Sequence, residues 1–286
     1  MNSSTTLTAC AGLALASLLL TGCPGPKQAS DAFDAAKARG ELIVAMDAGY
    51  VPFEILEADG SFSGFDVDLI NEVAKDMGVT VKIKNVAWNG IIGELNTGKA
   101  DLIISGMSIT PEREKAVAFS EPYFEVGQVV VKRKGDERIK SHEDLKGAGL
   151  TIAVQEGTTG EKTVRETFPK ATLLRFPKAD QACLAVVQEK ADVVVFDRPF
   201  LKRYLAEQGK DTLEGIWKPF TKEPIGAAFR KTSPKLVKAF NETLARLRAD
   251  GTYDRWVKDY FPEDGGASKL KPTPPPSATP AATPSK

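Results

Sequence analysis

Short apolar runs of strand length alternate with amphipathic runs of helical spacing along most of this chain, and few architectures satisfy that pattern. "ELIVAM" (41–46) reads as a buried strand. "FDVDLINEVAKDMG" (65–78) has apolar residues at helical spacing and closes on a glycine suited to a C′ cap. "VTVKI" (79–83), "DLIIS" (101–105), "LTIAV" (150–154), "TLLRF" (172–176) and "DVVVF" (192–196) read as further strands. Helices are expected over "WNGIIGELNTGK" (88–99), near 160–167 and over 179–190. Strands alternating with helices imply an α/β fold with parallel pairing across βαβ crossovers.

An internal repeat sharpens this. "GKADLIISG" (98–106) and "EKADVVVFD" (189–197) match in chemistry position by position, each a helix end, Lys-Ala-Asp, then a buried strand. One explanation is chance likeness between two common helix-to-strand turns. The other is two similar α/β lobes. Ligands of open α/β sheets bind outside the carboxyl ends of the strands. The repeat puts Gly106 and Asp197 at equivalent strand ends, one per lobe, with Arg113 just beyond the first.

The stretch "SGMSITPEREK" (105–115) deepens the point. Thr110 and Pro111 read as N-cap and first residue of a helix. Arg113 then falls in the first turn, where the macrodipole disfavours a cation by ~0.3–1 kcal/mol. Either Arg113 is solvated and pairs with Glu112 or Glu114, or it joins free N–H groups in holding a carboxylate or phosphate. A cation after one strand end and Asp197 at the other suit a zwitterion. An α-amino acid offers a carboxylate to the first and an ammonium to the second.

The flanks carry other signals. Leu7–Leu20 is apolar and uncharged, too short for the roughly 20 residues of a membrane span but of signal-peptide length. It ends in Leu20-Thr21-Gly22-Cys23, which resembles the lipobox of bacterial lipoproteins. That resemblance implies removal of residues 1–22 and lipidation of Cys23, which anchors the protein to a membrane. Residues 1–22 contain no Lys or Arg, a departure from the usual basic start. The alternative is a buried helix of the folded domain. Residues 23–40 are expected to be a tether, and the Pro-rich 263–286 a disordered tail.

Several functions lose support from composition. Lys plus Arg equals Asp plus Glu at 38 each, so no charge excess points to nucleic acid. Of three cysteines, Cys10 lies in the signal core, Cys23 in the lipobox and Cys183 at an apolar helical position. No intrachain disulfide is expected. The single histidine, His142, reads as part of an exposed helix start, with Ser141 as cap and Asp144 at the box position. No zinc motif, GxSxG elbow or Walker A is present, and nothing calls for a metal or cofactor.

"ISGMSITPEREKAVAFSEPYF" (104–124) resembles the signature of the periplasmic amino-acid-binding proteins of ABC importers, the family 3 solute-binding proteins. "MDAGYVPFE" (46–54), "GFDVDLINEVAKDMG" (64–78), "IAVQEGTTGE" (152–161), "VVVFDRP" (193–199) and "DGTYDRWVKDYF" (250–261) fit the same pattern in the same order. The resemblance covers about residues 40–262. It implies a two-lobed type II binding-protein fold, each lobe a mostly parallel sheet flanked by helices. Lobe 1 would comprise 41–128 and 224–262, and lobe 2 129–223. Hinge crossovers are expected near "GQVVV" (127–131) and "IGAAF" (225–229). Arg113, with the backbone N–H groups of Ser108 and Thr159, would take the ligand carboxylate. Asp197, the Ser108 hydroxyl and the Gly106 carbonyl would take the ammonium. Some relatives carry serine where this chain has Gly106. Asp47, Tyr50, Trp88 and Gln155 match side-chain contacts.

Structural readings of those four stay open: Trp88 as a core cover, Tyr50 as a packed turn residue, Asp47 as a turn cap, Gln155 as a loop brace. The resemblance implies a monomeric, extracytoplasmic, lipid-anchored receptor that delivers a polar L-amino acid to an ABC permease. Asp47 favours a basic or amide side chain. The alternatives are a cyclohexadienyl dehydratase-like enzyme on the same fold, with Glu156 as base, and a sensor domain of a signalling system.

Overall fold

The computed structural model describes residues 30–147, 149–209 and 211–262. Its strands are β1 (Glu41–Met46), β2 (Ile55–Leu56), β3 (Phe62–Ser63), β4 (Thr80–Asn85), β5 (Leu102–Ile103), β6 (Ala118–Phe119), β7 (Phe124–Val126), β8 (Gln128–Arg133), β9 (Thr151–Gln155), β10 (Thr172–Phe176), β11 (Val193–Asp197), β12 (Leu213–Ile216), β13 (Glu223–Ile225) and β14 (Ala228–Phe229). Its helices are α1 (Ala32–Arg39), α2 (Phe65–Met77), α3 (Ile91–Asn96), α4 (Pro111–Ala116), α5 (Thr159–Thr167), α6 (Ala179–Val187), α7 (Arg198–Tyr204), α8 (Pro234–Ala249) and α9 (Thr252–Tyr260).

Two five-stranded sheets form two lobes, ordered β4-β1-β5-β14-β6 and β10-β9-β11-β8-β12. β5 and β11, the repeated strands, occupy the centre of each. In both sheets the first three strands pair in parallel and the last two antiparallel. The sheets are therefore mixed, where mostly parallel sheets were expected. The physical reason is the chain path: β8 and β14 enter their sheets straight from the crossings, with no helix to reverse them. The crossings centre on β7 and β13, which pair antiparallel, Glu223 opposite Val126. That is a few residues before the apolar stretches that sequence singled out. Val129, Val130 and Val131 are fully buried and belong to the second sheet.

The repeat extends to its hydrogen bonds. The Asp101 carboxylate accepts from the Ile43 N–H at 2.9 Å, and that of Asp192 from the Thr151 N–H at 2.8 Å. Each joins a central strand to its parallel neighbour. Arg230 donates to the carbonyls of Leu95 and Ala100 at 3.1 and 2.5 Å, while Arg133 donates to those of Val186 and Ala191 at 3.3 and 2.7 Å. An arginine from a neighbouring strand or strand end thus closes the same helix end in each lobe, where carbonyls lack helical partners.

The tether expected to reach residue 40 is corrected. Ala32–Arg39 is helix α1, capped by Asp31, whose side chain accepts from the Phe33 N–H at 2.9 Å. Ala32 and Ala36 are fully buried against the first lobe. A short helix that buries two alanines leaves little amphipathic signal in the sequence. The proposed signal segment, Cys23 and the Pro-rich tail lie outside the described residues.

Candidate functional site

The carboxyl ends of the central strands face each other, as the repeat implied. A cleft of about 340 Å³ lies between them. Its walls include all nine residues singled out from sequence: Asp47, Tyr50, Trp88, Gly106, Ser108 and Arg113 from the first lobe, and Gln155, Thr159 and Asp197 from the second.

Arg113 sits in α4, with Thr110 as N-cap accepting from its backbone N–H at 3.3 Å. That N–H is therefore committed to the cap, and it is through its guanidinium that Arg113 brings positive charge to the cleft. It folds back to donate to the Ser108 carbonyl at 2.8 Å and lies over the Trp88 ring, 5.1 Å from its centroid. The solvated alternative is not what the structure shows. Arg113 is half-buried, and Glu112 pairs with Lys162 at 2.8 Å. Among the described residues no carboxylate stands at ion-pair distance from Arg113. Burial lowers its pKa, against the opposing pull of Glu223, Asp197 and Glu112. The guanidinium stays charged.

Asp197 ends β11 and is buried. Its carboxylate accepts from the Tyr50 hydroxyl and from the Gln128 amide, both at 2.6 Å. Neither donor is a cation. Burial, then the charge of Glu223, pushes the Asp197 carboxyl up to about 7. Burial likewise raises the Tyr50 hydroxyl well above its usual range, so it remains a neutral donor.

Tyr50 crosses the cleft from the first lobe. Its ring stacks on Phe53 at 4.8 Å and meets Phe196 edge-on at 5.7 Å. Gly106 explains the departure from serine. Its φ is +52°, and a side chain there would overlap the Tyr50 ring. Below it, the Gly106 N–H donates to the Asp66 carboxylate at 2.9 Å, as does the Tyr123 hydroxyl at 2.8 Å. Glu54, also fully buried, accepts from the Ser105 hydroxyl. Burial raises both carboxyls, Asp66 to about 7, so this pair under the cleft floor retains a proton.

The Ser108 hydroxyl donates to Glu223 at 2.8 Å and lies 3.3 Å from the Thr159 hydroxyl. The neighbours of Ser108 form the bridge to β13, so its own N–H and carbonyl face the other way. Thr159 opens α5, where helix geometry leaves the N–H groups without helical acceptors. Trp88 donates its indole N–H to the Gly157 carbonyl at 3.0 Å across the lobes. Asp47 is buried and tied to the second lobe: Gln155 donates to its carboxylate at 3.0 Å, and Lys178 forms an ion pair with it.

Sequence reasoning missed Gln128, Lys178 and Glu223. Gln128 and Glu223 sit on the crossing segments, and Lys178 just before α6, so each reaches a partner remote in sequence. None stands in a motif that would have marked it. Glu156, the candidate base, accepts from Asn89 at 3.0 Å at the rim and is not in the cleft wall.

The model of bacterial extracellular solute-binding proteins, family 3, matches residues 42–263. A probable histidine-binding protein of Neisseria gonorrhoeae is 34% identical over 262 residues, covering 90% of this chain and 96% of its own length. The ABC transporter glutamine-binding protein GlnH of Bacillus subtilis is 35% identical over 210 residues, covering 72% and 76%. Among solved structures, the ancestral amino acid-binding protein AncCDT-1, a precursor of cyclohexadienyl dehydratase, superposes with a TM-score of 0.76 at 39% identity, covering 81% of this chain and all of that one. With the two-lobed fold and its interlobe cleft, these matches establish that the chain belongs to the family 3 bacterial extracellular solute-binding proteins.

Proposed function

We propose that this protein binds a polar L-amino acid, with a basic or amide side chain, between its lobes and delivers it to an ABC importer. One observation carries the reading. Arg113 and Asp197 stand in one cleft on opposite lobes, and among the described residues neither has a counter-ion at ion-pair distance. A partly buried cation and a buried anion are both costly without partners. An α-amino acid supplies both counter-charges at once, the carboxylate to Arg113 with the Ser108 and Thr159 N–H groups, the ammonium to Asp197 with the Gly106 carbonyl. Asp47, Tyr50, Trp88 and Gln155 then surround the side chain. Relatives named for histidine and glutamine support a polar ligand.

The lipobox at Cys23 supports anchoring at the outer side of a membrane, where a permease would meet a monomeric receptor. Cys23→Ser should release the protein to the soluble fraction or block its processing, and a mature parent protein recovered free of membrane with Cys23 unmodified would argue against the lipid anchor.

The zwitterion reading is tested with modified ligands. Calorimetric titration should detect binding of one or more of the twenty free amino acids. For the best of them, the Nα-acetyl and the C-amide derivatives should each bind at least about thirtyfold more weakly, since each strands one buried charge at about 2–5 kcal/mol. Derivatives that bind as well as the free amino acid would sink the proposal.

A further inference from the structure

A second cation stands behind the Asp47 wall of the cleft. Lys178 lies at the N-cap position of α6 in the second lobe, where its ammonium, a donor only, cannot cap the helix N–H groups. Its ammonium reaches across to the first lobe instead, pairing with Asp47 Oδ1 and donating to the Ala48 carbonyl at 3.0 Å. Asp47 Oδ2 accepts from the Gln155 amide at 3.0 Å, and the same amide donates to the Pro177 carbonyl at 3.1 Å. The Pro177–Lys178 segment therefore holds both groups that engage Asp47. Behind it lies a second cavity of about 860 Å³, sharing Asp47, Tyr50 and Gln155 with the cleft and carrying Lys178 on its wall.

From this arrangement we infer that Lys178 is a specificity-determining residue: by neutralising Asp47 from within the protein, it biases the side-chain subsite toward a neutral amide and against a cation. The inference rests on the amino-acid-binding reading above. Asp47 alone would present one buried negative charge, which favours a guanidinium or an ammonium. With Lys178 in place the pair sums to zero. A cationic side chain must then displace a bound ammonium or sit beside it, and like charges at close range repel. An amide adds no charge. Its N–H can use lone pairs of the Asp47 carboxylate that Lys178 and Gln155 leave over. Lys178 acts on the ligand through Asp47, so it is a positioning residue, and selectivity is the readout that a merely structural role would not move.

The experiment titrates L-glutamine and L-arginine calorimetrically into the parent and into Lys178→Gln, Lys178→Met, Lys178→Arg and Arg113→Ala. Thermal melts establish that each variant is folded. Removing the charge should raise the ratio of arginine to glutamine affinity by about tenfold or more, the scale set by losing one close charge partner. Lys178→Arg, which keeps the charge, should hold the parent ratio within about threefold. If Lys178→Gln does not fold, Lys178→Met carries the comparison. A charge-removed variant that gains no arginine affinity relative to glutamine overturns the role. Arg113→Ala separates the two claims, because it should weaken both ligands together. Retained binding there defeats the carboxylate clamp of the proposed function, whereas an unchanged ratio in the Lys178 variants defeats only the specificity role.

Discussion

Asp197 is a carboxylate placed where ionisation is difficult. Its carboxyl is raised to about 7, while in an unfolded chain it would titrate near 4. Between those values the native state binds a proton that the unfolded chain has released. Stability of the unliganded protein therefore falls as pH rises through that window. Under the proposed clamp, binding would run the other way, because a ligand ammonium requires the ionised form. Ligand uptake near pH 6 should release up to one proton, and affinity should weaken by up to about tenfold per pH unit below 6. Titrations in buffers of differing ionisation enthalpy would count that proton. A dissociation constant that stays level from pH 5.5 to 8 would contradict the assignment. Asp66 titrates in the same range, but its partners Tyr123 and Gly106 belong to the protein, so it affects stability and leaves ligand-linked proton release unchanged.

At the scale of elements, the repeat locates a weak point. The first helix-to-strand turn passes through Gly98 at φ +75°, and the second passes through Glu189 at φ +60°. Glu189 is the one non-glycine with positive φ among the described residues. A left-handed backbone costs a side-chain-bearing residue roughly 1–2 kcal/mol, against roughly 0.5–1 kcal/mol of extra unfolded-state freedom for glycine. Glu189→Gly should therefore stabilise by up to about 1 kcal/mol, a rise of roughly 2–4 °C in a domain of this size. Gly98→Ala should destabilise by a similar amount. A melt in which Glu189→Gly falls below the parent would contradict the equivalence of the two turns.

The same repeat shows what a sequence can and cannot convey. "KADLIIS" and "KADVVVF" announce their strands because buried central strands are continuous apolar runs bounded by turns. Gly106, Arg113 and Asp197 were legible from the repeat at strand ends, and the other six cleft residues only through the family resemblance. Lys178 and Gln128 were not, because what defines them is pairing across 131 and 69 residues respectively. Two-residue strands such as β6 and β14 carry no period to read, and tertiary packing alone makes them strands.

For the whole molecule, the two lobes meet inside the cleft, where Tyr50 bonds Asp197 and Lys178 pairs with Asp47, and at its exposed rim. Lys162 pairs with Glu112 at 2.8 Å, and Asn89 donates to Glu156 at 3.0 Å. Exposed pairs of this kind are screened by solvent and contribute too little to hold two lobes shut against the freedom of a two-strand hinge. Glu112→Gln should accordingly change affinity by less than about fivefold, and a larger loss would mean the rim, not the cleft, governs closure. The stronger link is the ligand itself, whose carboxylate would engage the first lobe through Arg113 and whose ammonium would engage the second through Asp197.

Calorimetric titration of Arg113→Ala with the tightest-binding amino acid tests that clamp most directly. Loss of one partner from a buried charge pair costs about 2–5 kcal/mol, or roughly 30- to 4,000-fold in Kd. The clamp predicts a loss in that range, with the melting temperature of the unliganded variant close to that of the parent. A loss below about fivefold in a folded variant would contradict it, and would leave Arg113 as a side chain that braces Ser108 and Trp88 without touching ligand.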